Sequence, residues 1–248
     1  MPNTTPCHAC PSPSPRCSLI ASLTLITLAL STPLSAAQPK AAAPYENSLG
    51  MKFVPVPGTK VLVSIYETRV KDFAAFADAT AFKTDRKMYT WIDRSGKPRE
   101  GYDWREPGMP QGPTHPVGGV SWNDAEGFCQ WLTKKERAAG LIGQNQRYRL
   151  PTDEEWSIAA GMPNEGGATP SDRDKKIKDL YPWGTEWPPR FGNYGDVNFV
   201  QPTDAHYPKQ GNPLKDYNDG YQYAAPVGQF TPNAFGLHDM GGNVYEWV

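Results

Sequence analysis

Residues 235–248 read Phe235-Gly-Leu-His-Asp-Met-Gly-Gly-Asn-Val-Tyr-Glu-Trp-Val248, and no other segment constrains the fold as tightly. A turn-forming run of Gly, Asn and Asp leads directly into an alternating Val-Tyr-Glu-Trp segment, which predicts a strand over 245–248. Carboxylates and bare backbone carbonyls then stand beside an aromatic layer, the arrangement an oxygen-ligand metal site needs. Such a strand requires a neighbour for its N–H and C=O groups, so the pattern reads as the middle of a domain, and the natural chain is expected to run on past Val248.

Composition narrows the function classes. A net charge of -1 and a pI near 6.4 leave no basic face for nucleic acid, and no charge run is long enough to form an interaction tail. With 26 Pro, 23 Gly and a mean hydropathy of -0.60, loops dominate; 8 Trp and 12 Tyr supply apolar bodies with polar handles that can pin them.

At the N-terminus Arg16 precedes an apolar run over 19–30, followed by Pro33 and the small residues Ser35-Ala36-Ala37. The run falls short of the ~20 residues that cross a bilayer and suits a secretory signal. The expected organisation is a signal peptide over 1–37, an Ala/Pro linker over 38–44 and one domain over 45–248, exported to the periplasm or beyond the cell as a monomer, with no stable transmembrane segment after cleavage. An uncleaved anchor is the alternative. Cys7-His-Ala-Cys10 has the spacing of a redox or zinc pair, but with Cys17 it precedes the apolar run and leaves with it. Cys129 alone remains, which excludes an intrachain disulfide even in an oxidising compartment.

Strand-and-turn patterning starts at 45–58 and continues in the β-branched run 61–66. Thr68 is placed to cap a helix over 70–79 whose apolar face is Val70, Phe73, Ala74, Phe76 and Ala77. Residues 91–111 lack periodicity and read as a surface loop held by Trp91, Tyr102 and Trp104. Ser121-x-x-Asp124 starts the clearest helix, with Trp122, Ala125, Phe128, Cys129, Trp131 and Leu132 on one side, basic residues at its end and Gly140 as its stop. Cys129 on that side reads as a small buried hydrophobe rather than a nucleophile. Thr152-Asp-Glu-Glu155 is a capping box for a short helix that turns Trp156, Ala159 and Ala160 inward and ends at Gly161. From 162 onward the chain reads as turns and short strands.

Several chemistries drop out. His115, His206 and His238 are scattered without metal-ligand spacing, and neither a nucleophile elbow nor a phosphate-binding loop occurs. Asp216-Tyr-Asn-Asp-Gly220 resembles an EF-hand loop, but its Gly falls one place early and no Glu follows at the twelfth position.

An ordered series of motifs remains: Glu46-Asn-Ser-Leu-Gly-Met-Lys-Phe-Val-Pro-Val-Pro-Gly58, Pro116-Val-Gly-Gly-Val-Ser-Trp-Asn-Asp-Ala125, Arg149-Leu-Pro-Thr-Asp-Glu-Glu-Trp156, Tyr181-Pro-Trp-Gly184, Gly192-Asn193, Pro226-Val-Gly-Gln-Phe-Thr-Pro-Asn-Ala-Phe-Gly-Leu237 and Gly242-Asn-Val-Tyr-Glu-Trp247. Each is weak alone; in this order, over nearly all of 45–248, they resemble the formylglycine-generating enzyme (sulfatase-modifying factor) family. The resemblance implies an α+β fold, a loop-rich variant of the C-type-lectin fold with two main helices and short mixed strands. It also implies two structural calcium ions, one held by the Asn193 and Asp219 side chains with the Tyr194 and Tyr221 carbonyls. The other would take Asp239 and Glu246 with the Gly242 and Val244 carbonyls.

Active members of that family oxidise a sulfatase cysteine to formylglycine with molecular oxygen, through a cysteine pair that binds copper and follows the Glu-Trp segment. This sequence carries no such pair, so no catalytic residue is assigned, and copper is expected only if a continuation supplies the cysteines. The expected partner is a sulfatase or another protein or peptide. Two other readings are a non-catalytic lectin-like module binding peptide or glycan around Trp91 and Trp104, and the iron-dependent sulfoxide-synthase branch, whose histidine domain has no counterpart here.

Overall fold

A computed structural model describes residues 43–90, 98–162, 166–174, 179–187, 189, 191–198 and 214–248, all within the unit formed by residues 42–248. The expected targeting segment with Cys7, Cys10 and Cys17, most of the expected linker, Trp91 and His206 lie outside the described residues.

Strands β1 (Tyr45–Glu46), β2 (Lys52–Pro55) and β3 (Leu62–Ser64) form an antiparallel sheet in that order, with Tyr45 opposite Phe53 and Val54 opposite Val63. The β1–β2 turn is closed by Asn47, whose Oδ1 accepts the Leu49 and Met51 N–H groups at 2.9 and 3.0 Å.

Helix α1 (Val70–Thr80) starts at Arg69 rather than at Thr68. The reason is electrostatic: the Asp72 carboxylate accepts the Arg69 backbone N–H at 3.1 Å and its guanidinium at 2.7 and 3.0 Å, a buried pair that fixes the first turn. The Thr68 carbonyl meanwhile accepts from Val117 N. Helix α2 (Trp122–Ala138) begins with the expected Ser121/Asp124 capping box and stops where Gly140 adopts a φ of 69°, with Leu141 N–H returning to the Glu136 carbonyl. Helix α3 (Asp153–Ala159) has the Thr152/Glu155 box.

Phe73, Phe76 and Ala77 of α1 pack on Phe128, Cys129 and Leu132 of α2, with Met51 and Trp104 completing the cluster. Trp104 is 3% exposed and meets Phe73 edge-on at 5.0 Å. Burying rings of this size stabilises by about 1.5–3 kcal/mol each. Trp122, expected on the apolar side, is 44% exposed because it sits at the first helical position beyond the Phe128 layer. A second cluster joins Val56, Ala159, Ala160, Leu237 and Met240, and so ties β2 and α3 to the C-terminal loops.

Three further expectations are corrected. Residues 91–111 are not loop throughout: β4 (Lys87–Tyr89) pairs with β5 (Pro98–Glu100) as an antiparallel hairpin. Its residues are mainly exposed and polar, so no alternation betrays it. Past residue 162 a short helix α4 (Pro170–Asp174) forms, and among the described residues only isolated bridges replace the expected strands. Residues 245–248 form no strand; Tyr245 is 99% exposed. Side chains hold the segment instead, as the Trp122 indole donates to the Val248 carbonyl at 3.1 Å and the Trp247 indole to the Val120 carbonyl at 3.0 Å. The α+β class and the loop-rich character hold, and no helix of the described residues is long and apolar enough to cross a membrane.

Candidate metal centre

Of the residues expected as ligands, Asn193, Tyr194, Asp219 and Tyr221 are linked by hydrogen bonds, and the loop carrying Asp239, Gly242, Val244 and Glu246 lies beside them. In the first group, Asp219 is the hub: its Oδ1 accepts the Tyr221 N–H at 2.7 Å, and its Oδ2 accepts the Tyr194 N–H at 2.9 Å and the Asn193 amide at 3.2 Å. The Asn193 amide also donates to the Tyr223 carbonyl at 3.0 Å. Behind them lies Asp196, fully buried, accepting from Asp219 N at 2.6 Å and Asn198 N at 2.7 Å. Burial raises the Asp219 pKa, partly opposed by its two backbone donors.

The second group is built on strained backbone. Asp239 and Asn243 have φ of 58° and 57°, and Gly242, at 90°, would place a Cβ 2.4 Å from the Asn193 carbonyl oxygen. Only glycine fits there, and that contact lets Asn243 N–H donate to the same oxygen at 2.9 Å, joining the two groups. Asp239 is 8% exposed; its Oδ2 accepts from Gly228 N at 3.1 Å, while its buried Oδ1 has no partner. Glu246 accepts a hydrogen bond from the Trp156 indole of α3. Burial first, then the neighbouring Asp239 carboxylate, raises its pKa.

Glu67, just before α1, was not expected here. Its carboxylate, 7% exposed, accepts from the Asn243 amide at 2.7 Å and from Val244 N at 3.3 Å. Burial, then Glu246 and Asp239, pushes it up to about 9. Asn243 also accepts from Ala225 N at 2.9 Å, so its amide bridges three segments. Glu67, Asp196, Asn243 and Trp156 were all missed as site residues. The Gly-Gly-Asn turn was the available signal for Asn243, whereas a Glu ahead of a helix carries none.

Among the described residues no three His, Cys, Asp or Glu side chains converge closely enough to hold a metal by themselves. A cation here would therefore depend on backbone carbonyls as well. The orphaned, buried Asp239 oxygen is the feature that fits a hard, oxygen-seeking ion. Among the described residues the one thiol, Cys129, is buried in the Phe73 cluster, and burial pushes it up to about 12. Trp104, buried in the same cluster, offers no face to a glycan, which removes half of the expected lectin-like platform. An open cleft of about 390 Å³ is lined by Trp183, Phe191, Tyr194, Phe230, Asp239 and Gly241.

Residues 55–248 match the family model described as the sulfatase-modifying factor enzyme 1-like domain. The formylglycine-generating enzyme of Thermomonospora curvata is 32% identical over 212 residues, which are 75% of this chain and 58% of that one. Its Mus musculus counterpart is 30% identical over 215 residues, 74% of this chain and 47% of that one. A Bos taurus protein described as inactive C-alpha-formylglycine-generating enzyme 2 is 28% identical over 213 residues, 75% and 58% of the two chains. The chain thus spans about half the length of these relatives. PvdO from Pseudomonas aeruginosa superposes at a TM-score of 0.48 and 20% identity over 85% of this chain and 75% of that one.

Proposed function

The chain belongs to the sulfatase-modifying factor (formylglycine-generating enzyme) family, and from that premise we propose that it is an exported family domain, of C-type-lectin-like fold, whose acidic loops are organised by calcium and whose partner is a sulfatase-type polypeptide. The observation that carries the calcium reading is the unpartnered, buried Asp239 oxygen beside Glu246 and Glu67. Leaving such an oxygen without a donor costs about 1–3 kcal/mol, and a calcium ion held with the Gly242 and Val244 carbonyls would remove that cost. When bound, calcium supplies positive charge and loop order but no redox chemistry. Asn243 and Trp156 hold Glu67 and Glu246 in place, and the aromatic cleft alongside gives an extended polypeptide a surface to lie on.

Oxidation of a cysteine needs groups that residues 45–248 do not contain, since Cys129 is their only thiol. As given, the chain should bind no copper through a cysteine pair and should leave a sulfatase-derived cysteine peptide unchanged under oxygen. Conversion of that peptide by this chain would show that the residues given suffice for oxidation. Chelation tests the calcium reading: stripping with EGTA should lower stability by about 3 kcal/mol when free calcium had been ~100-fold above the dissociation constant. A calcium-loaded sample whose melting is indifferent to EGTA would sink it. The second reading, a binding module without oxidation in any form of the protein, is favoured by the similarity to an inactive relative. Sequencing past the codon for Val248 separates the two readings, because two closely spaced cysteines there favour oxidation. Mass spectrometry of protein from its native host tests export, with an N-terminus near Gln38 expected and a retained Met1 counting against it.

A further inference from the structure

We infer that a single internal water molecule is a fixed component of this fold, held between the Asn47 side-chain amide of the β1–β2 turn and the Glu136 carboxylate in the last turn of α2. The inference is independent of the calcium reading and uses none of its residues.

Glu136 is 0% exposed and Asn47 is 6% exposed. Hydrogen bonds bring their segments together. Glu136 Oε1 accepts the Ser48 backbone N–H at 3.3 Å and the Ser48 hydroxyl in a close contact, and Ser48 directly follows Asn47. Tyr148 closes the same region. Its N–H donates to Thr133 Oγ1 at 2.9 Å, one turn before Glu136, and its hydroxyl meets that of Tyr45, just ahead of the turn, at 3.2 Å. Burial first, then Tyr45 and the Glu136 charge, raises the Tyr148 pKa while the Asn47 side chain opposes them, so the phenol keeps its proton.

Two polar atoms are left over. Among the described residues Asn47 Nδ2 and Glu136 Oε2 are buried and meet no protein partner. Neither can turn away. Asn47 Oδ1 accepts the Leu49 and Met51 N–H groups at 2.9 and 3.0 Å, so a flipped amide would set N–H against N–H. Glu136 Oε1 is pinned by Ser48, which fixes where Oε2 sits. Buried groups in this state are costly, and folded proteins satisfy them with ordered water. The leftover pair is one donor and one acceptor, which selects the ligand. A cation is repelled by the Nδ2 protons and an anion by the carboxylate, whereas water accepts from the first and donates to the second. Nor does Glu136 call for a bound cation, because Lys135 Nζ donates to Ser48 Oγ at 2.8 Å, one hydroxyl away. The Tyr45–Tyr148 hydroxyl pair, with one proton left after its mutual bond, supplies a third partner, and roughly 2–4 is what an internal water takes. The water then completes the joint that Ser48 begins between the β1–β2 turn and α2.

The test is a crystal structure of the full chain with ordered solvent, backed by water-to-amide cross-relaxation in solution NMR. One water is expected within about 2.7–3.2 Å of both Asn47 Nδ2 and Glu136 Oε2, and the Asn47 side-chain amide protons should show the cross-peak of a long-lived water. A direct Asn47–Glu136 hydrogen bond, a separate water on each atom or a dry gap would overturn the inference. Glu136→Gln keeps a polar group for the water and should retain it. Loss of the density in folded Glu136→Gln would mean that charge holds a cation there instead. Glu136→Leu should abolish density and cross-peak together, and a cross-peak unchanged in folded Glu136→Leu would remove Glu136 from the site. Neither variant need fold for the parent structure to decide the matter.

Discussion

The α1–α2 core and the acidic loops of 191–198 and 214–248 are held together by different forces. In the first, Phe73 is 1% exposed and touches Phe76, Trp104 and Phe128, so stability comes from apolar area and ring packing. In the second, Asp219, Asp196, Asn243 and Glu67 each satisfy backbone groups of distant segments, and among the described residues few apolar side chains are fully covered. The two therefore respond to different perturbations. Volume changes damage the core, whereas loss of one polar atom or one charge damages the loops.

Phe73→Ala should give the largest effect, about 3–5 kcal/mol lost in urea titration, because a cavity opens among rings that cannot collapse into it. Asn243→Gly keeps the left-handed backbone and removes only the amide that serves Glu67 and Ala225. About 1–3 kcal/mol should follow. Hydrogen exchange should rise at Ala225 and over 243–248 but not in α1 or α2; equal loss of protection in α1 would show that the two regions unfold as one. Next comes the Arg149–Glu155 pair at the boundary, closed by two short contacts of 2.6 and 2.7 Å. The Arg149 guanidinium holds the Glu155 carboxyl down at about 2, against an ordinary 4.5. A depressed folded value means that the stabilisation is complete above pH 4.5 and is lost as pH falls from 4.5 toward 2. With both groups partly exposed, Glu155→Gln should cost about 1–2 kcal/mol at pH 7, and the difference from the parent should shrink at pH 3. Last, Lys87→Ala breaks the exposed pair with Glu100 across the β4–β5 hairpin and should leave the melting temperature unchanged.

The same contrast governs what could be read from sequence. Helical periodicity exposed the Phe73 and Phe128 faces, and the Ser121/Asp124 and Thr152/Glu155 boxes marked α2 and α3 because capping chemistry is local. The α1 start shifted by one residue, since a buried Arg69–Asp72 pair is a tertiary feature written in residue types that serve equally well on a surface. Asn193, Asp219, Asp239 and Glu246 were reached through motif order and not through spacing. Glu67 and Asp196 stayed hidden because burial turns a common acidic residue into a structural one, and burial depends on what folds over it. The expected strand over 245–248 rested on alternation alone, which says nothing about whether a neighbour is present to pair with it.

Glu67 meets Asn243 across 176 residues. A polypeptide made from its N-terminus exposes Glu67 to water long before its partner exists. At synthesis rates of about 5–20 residues per second the interval is roughly 9–35 seconds. Every residue of the Phe73 cluster, the last of which is Leu132, has been made well before then. The nascent chain can thus close its ring-packed core while Glu67 is still hydrated and free of its acidic neighbours. Only when residues 239–246 arrive can Glu67 take the Asn243 amide and the Val244 N–H, so this part of the acidic loops closes after the ring-packed core is available.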